Sequence, residues 1–62
     1  MRTHHVICTH DNVYLWLSST RGGPVYSSHN YKARRFYKGE AERLAALEKK
    51  RTGLHCWAAC IN

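Results

Sequence analysis

Only one stretch of this chain has the composition of a helix, "EAERLAALEKKR" at residues 40 to 51, and it decides what the remainder must be. Ala, Leu, Glu, Lys and Arg are the strongest helix formers, and nothing interrupts them. Glu40 and Glu42 stand in the first turn and Lys49, Lys50 and Arg51 in the last, complementing the helix dipole, and Gly53 is placed for a left-handed cap. At about 100° per residue, Tyr37, Ala41, Leu44 and Ala45 share one stripe with Leu47 at its margin. Glu42, Arg43, Ala46, Lys49 and Lys50 point elsewhere, and Glu48 reads as solvent-compatible. A lone helix with one apolar stripe must bury it against another layer, so the other segments have to supply a sheet.

They have the character to do so. "THHVICTH" at 3 to 10 is followed by Asp11-Asn12, two residues that tolerate the positive φ of a tight hairpin, and then by "VYLWLSS". A two-residue turn sets His10 opposite Val13, Cys8 opposite Leu15 and Val6 opposite Leu17. Val6, Cys8, Val13, Leu15 and Leu17 then share one face, and Ile7, Tyr14 and Trp16 the other. "TRGGP" at 20 to 24 marks a second turn, and Val25-Tyr26 begins a short edge strand. "LHCWAACI" at 54 to 61 is apolar on both parities, which predicts a final strand buried on both faces or nearly so, a helical turn being the alternative its length allows. His4 and His5 read as a frayed terminus. The expected fold is α+β: one domain over residues 1–62, ordered β-β-β-α-β, with an antiparallel sheet of three to four strands and one helix across it.

A chain of 62 residues buries only about 60 % of its unfolded surface, so small domains often lean on disulfides, a metal or a partner. Cys8, Cys56 and Cys60 are the only thiols; an odd count, with no signal-like segment at the start, favours free buried thiols in a cytoplasmic protein. No apolar run approaches the roughly 20 residues that span a bilayer, so no membrane partner is expected. A zinc site from Cys8, His10, Cys56 and Cys60 has ligand types in its favour and spacing against it. In a strand Cys56 and Cys60 would stand about 13 Å apart on one face. No cofactor is expected. Catalysis is not expected either, because no phosphate loop, dinucleotide motif or positioned base and nucleophile is present.

Ten Lys and Arg against four Asp and Glu give a net charge of +6, a field that favours nucleic acid or an acidic protein as partner. The charge is densest in "YKARRFYKGE" at 31 to 40, where Lys32, Arg34, Arg35 and Lys38 alternate with Tyr31, Phe36 and Tyr37. Such a mixture suits phosphate contacts with base stacking. Phe36 and Tyr37 precede the helix, where apolar residues commonly pack inward. Arg21, Lys32, Arg34, Arg35 and Lys38 are therefore the expected contacts to nucleic acid or an acidic partner, and Tyr14, Trp16 and Tyr31 the expected aromatic interface. An inhibitor or adaptor docking on a host protein through the aromatic sheet face is the alternative. A homodimer is compatible with either.

"STRGGPVY" and "AERLAALEKKRTG", together about a third of the chain, resemble small early-region accessory proteins of lambda-like bacteriophages, encoded near excisionase. That resemblance implies a phage or prophage origin, with the host cytoplasm as the location that such an origin entails, and a non-catalytic accessory role, and it transfers no site residues. The basic segment between turn and helix is longer here than in that pattern.

Overall fold

A computed structural model describes residues 1–61. Strands β1 (His4–His10), β2 (Val13–Ser19) and β3 (Val25–Ser27) precede a short 3-10 turn (Asn30–Lys32), helix α1 (Lys38–Thr52) and strand β4 (His55–Cys60). All four strands form one antiparallel sheet in the order β3-β2-β1-β4, with α1 across one face.

The first hairpin has the register that its turn residues dictate. Asp11 and Asn12 take φ of 51° and 65°, and pair His10 with Val13, Cys8 with Leu15 and Ile7 with Trp16. Val6, Cys8 and Leu17 consequently face the helix and are buried. The core is Val6, Leu17, Phe36, Ala41 and Ala45, with Leu44, Tyr26 and Ala58 half-buried around it. Having only methyl side chains at 41 and 45, the helix lies close against the sheet. Gly53 closes it at φ 74°, donating its N–H to the Lys49 carbonyl.

Four sequence expectations need correction. β4 is an edge strand and not a doubly buried one: His55 and Cys60 are exposed, and Trp57, Ala58 and Ala59 are half-buried. His4 and His5 are not frayed, because β1 pairs through them with Cys60 and Ala59. The helical stripe runs from Ala41 and Ala45 to Glu48, which is 8 % exposed, while Tyr37, expected on the stripe, and Leu47, expected at its margin, are turned out. And Cys8 and Cys56 are joined to each other rather than free; only Cys60 is an unpaired thiol, and it is exposed.

The disulfide follows from register. Ile61 N–H bonds to the Thr3 carbonyl, so along β1 and β4 the odd-numbered β1 residues are in hydrogen-bonded pairs and Cys8↔Cys56 is in a non-hydrogen-bonded one. That is the closer of the two antiparallel spacings, and the two Cα atoms stand 4.1 Å apart. Both sulfurs lie on the helix-facing side, beneath α1.

Glu48 is stabilised inside by three donors. Tyr26 of β3 donates its hydroxyl to Oε1 at 2.7 Å, and Arg51 donates Nη2 to Oε1 at 2.6 Å and Nε to Oε2 at 3.0 Å. Arg51 above all, with help from Tyr26, holds the Glu48 carboxyl below its ordinary pKa despite the opposing effect of burial. Burial and the adjacent carboxylate push the Tyr26 phenol up. This ties edge strand β3 to the last turns of α1, a link invisible to apolar periodicity.

Candidate functional site

The helix covers one face of the sheet, and the other carries rings. Two cross-strand rows compose it: Tyr14, Thr9 and His55 in one, Trp16, Ile7 and Trp57 in the next. Ile7, opposite Trp16 on one side and Trp57 on the other, is buried although, among the described residues, no second layer lies over it. Tyr14 leans edge-on against Trp16 (centroids 6.2 Å) and reaches across β1 to Trp57 (5.7 Å, interplanar 82°). His55 tilts over Trp57 at 5.0 Å. Edge-to-face contacts of this kind fix ring orientation while leaving π-surface outward. Tyr14 is 54 % exposed, and Trp16 and Trp57 are half-buried. A shallow cleft runs beside these rings, and the hairpin-tip carboxylate of Asp11 is part of its lining together with Thr9, Asn12, Val13, Tyr14, Trp16 and Ser28.

The expected pair Tyr14 and Trp16 thus sits together, on the face the register assigned. Tyr31 does not join them: it is 76 % exposed and stacks on His29 at 5.4 Å. Trp57 and His55 were not among the expected contacts. Parity alone could have found Trp57, since any pairing of β4 that puts Cys56 opposite Cys8 turns Trp57 to the open face.

The basic stretch is anchored by backbone. Arg34 N–H donates to the Leu17 carbonyl at 3.0 Å, and Phe36 exchanges two hydrogen bonds with His4, at 2.8 and 3.1 Å. Between them these bonds fix residues 34 to 36 to β2 and β1 at one end of the sheet. Alternation then sends Phe36 inward, to 1 % exposure, and Arg35 to the opposite side; Arg34, of the same parity as Phe36, is exposed beyond the edge of the core. Arg34 donates Nη1 to Thr20 Oγ1 at 3.1 Å and lies 5.5 Å from the Phe36 ring centroid. Arg35 is close enough to the open-face His5 to lower its pKa, adding to the larger effect of burial. Lys32 lies in the 3-10 turn, Lys38 opens α1, and Arg21 sits in the β2–β3 turn, all exposed. Among the described residues the carboxylates within reach of a basic side chain are Asp11, beside the His10 imidazole, and Glu48, paired with Arg51, so none of these five cations is matched to a carboxylate.

The four zinc-ligand candidates are not assembled. Cys8 and Cys56 are consumed by their mutual bond, His10 pairs with Asp11 at the hairpin tip, and among the described residues no three His, Cys, Asp or Glu side chains converge as a metal site. Among those residues, too, no helix is long and apolar enough to cross a membrane. Comparison with known proteins leaves the reading to these residues: no family model, no curated protein and no solved structure matches the chain.

Proposed function

We propose that this protein acts by binding, without catalysis, and that its ligand is single-stranded nucleic acid held on the open sheet face. One observation carries the reading: Trp16 and Trp57, each braced edge-on by Tyr14, stand with it on a sheet face over which no second layer lies among the described residues, in a chain of net charge +6. Bases offer π-faces to such a platform regardless of sequence, and cations at its border neutralise phosphates. Arg21, Lys32, Arg34, Arg35 and Lys38 are the assigned phosphate contacts. The role is that of a regulatory or accessory factor, and a phage or prophage origin rests on the resemblance of "STRGGPVY" and "AERLAALEKKRTG".

The experiment is fluorescence-anisotropy titration of a labelled oligothymidylate and its RNA counterpart at several salt concentrations. Binding should weaken steeply with salt, and Trp57→Ala should reduce affinity by about 5- to 150-fold, the loss of ~1–3 kcal/mol of stacking. Salt-insensitive or absent binding would exclude this reading. A pull-down whose captured protein survives nuclease treatment and depends on Trp16 would favour the docking of an acidic host protein instead.

A further inference from the structure

At the end of the sheet where β1 begins, Arg2, Arg34 and Arg35 line one cleft together with Met1 and Tyr37. Two of the three guanidinium groups are braced from within the fold. Arg2 lies over the Tyr37 ring at 5.1 Å, and Arg34 is held by the Phe36 ring and by its bond to Thr20 Oγ1. A guanidinium laid against a ring keeps its N–H edge free, and the side-chain entropy of ordering it is already spent before any ligand arrives. None of the three is among the described ion pairs. Three arginines lining one cleft repel one another, so an arrangement that also withholds carboxylates is suited to an external anion of two or more charges.

The cleft also has a fixed relation to the rings. The antiparallel bridge between His4 and Phe36 sets Arg35 opposite His5, which lies on the open face in the row after Ile7, and Ile7 is flanked by Trp16 and Trp57. The far end of the platform is the hairpin tip with Asp11. One end of the aromatic face is therefore cationic and the other carries a carboxylate.

We propose that the Arg2–Arg34–Arg35 cleft is a dedicated phosphate pocket that anchors one phosphate of the strand stacked on Tyr14, Trp16 and Trp57. This deepens the nucleic-acid reading above and rests on it. The arginines act by charge-assisted, fork-like hydrogen bonds to phosphate oxygens, and the strand leaves the pocket toward Trp16 and Trp57.

The test compares two charge-matched triple variants, Arg2→Gln/Arg34→Gln/Arg35→Gln in the cleft and Arg43→Gln/Lys49→Gln/Lys50→Gln on the outer helix face, each checked for folding by circular dichroism. Short oligothymidylates with a 5′-phosphate, a 3′-phosphate or hydroxyl ends are titrated against both. The cleft variant is expected to lose at least tenfold more affinity than the helix variant. In the parent protein the Arg Nε–H resonances of residues 2, 34 and 35 should shift together on binding, and the His5 pKa should rise as phosphate masks Arg35. A terminal phosphate as anchor would show as a preference for one phosphorylated end that the cleft variant loses. A backbone phosphodiester would show as equal binding of all three oligomers with the tenfold difference retained. Equal losses in the two variants, with Trp57-dependent binding intact, would overturn the pocket and leave the platform standing. Loss of binding in no variant, Trp57→Ala included, would overturn the platform itself.

Discussion

Reducing the Cys8–Cys56 bond should bring this protein close to unfolding. The bond closes a loop of sequence separation 48, and for a loop of that length the chain-entropy relation gives about 4 kcal/mol of stabilisation at 25 °C. A domain of 62 residues is expected to have ~3–9 kcal/mol in all, so the bond accounts for a large share. The assay is urea denaturation followed by circular dichroism, with and without a phosphine reductant, in a Cys60→Ser background that prevents exchange with the exposed thiol. For a urea slope of ~1–2 kcal/mol/M, reduction should lower the midpoint by about 2–4 M. Before reduction, the wild-type protein should present one thiol to a thiol reagent, and three after reduction and denaturation. A midpoint change below about 0.5 M, or three reactive thiols in the native protein, would refute the reasoning. Disulfides of this kind persist in oxidising surroundings and are rare in the cytosol, so the cysteines no longer support a cytoplasmic location.

Phe36→Ala should cost ~3–5 kcal/mol by leaving a cavity beneath α1, enough to leave the chain largely unfolded in thermal melts; a native-like melting temperature would show that residues 34 to 36 are not built into the core. Glu48→Gln should destabilise by ~1–3 kcal/mol, since Tyr26 and Arg51 lose a charged acceptor, whereas Glu42→Gln on the exposed side should be near neutral in the same melts. Because the folded-state pKa of Glu48 lies below its unfolded value, its contribution is full above the unfolded carboxylate pKa and disappears as pH falls through the folded one. Acid titration of Glu48→Gln should accordingly show a shallower loss of stability than wild type, and identical acid profiles would count against the Glu48–Arg51–Tyr26 network. Arg34→Ala with Arg35→Ala should lower the salt slope of single-strand binding by about 1.4, at roughly 0.7 per phosphate contact removed.

The fold was legible wherever local chemistry dictated it. Asp11-Asn12 set the turn, the turn set the register, and the register assigned Val6 and Leu17 to one face and Tyr14 and Trp16 to the other. Helix α1 was legible from propensity and its Gly53 cap. What escaped depended on contacts distant in sequence. Glu48 lies on the buried line because Tyr26, 22 residues away, and Arg51 supply its hydrogen bonds, and helical periodicity counts only apolar residues. Cys8 and Cys56 were read as free from an odd count, although the pairing of the terminal strands brings them into register. Trp57 was hidden because a strand apolar on both parities looks doubly buried, yet β4 borders β1 alone and so lies at the sheet's edge. Of the basic stretch, Phe36 was legible as inward-facing, but the convergence of Arg34 and Arg35 with Arg2 was not.

The platform reading stands or falls most directly on a two-dimensional NMR titration with unlabelled oligothymidylate at moderate salt. The indole N–H resonances of Trp16 and Trp57 and the ring protons of Tyr14 should move in fast or intermediate exchange, upfield where bases stack, while the Lys49–Lys50 amides on the covered side stay still. Shifts confined to the helix, or none on the rings at saturating oligomer, would contradict a nucleic-acid site on the open face.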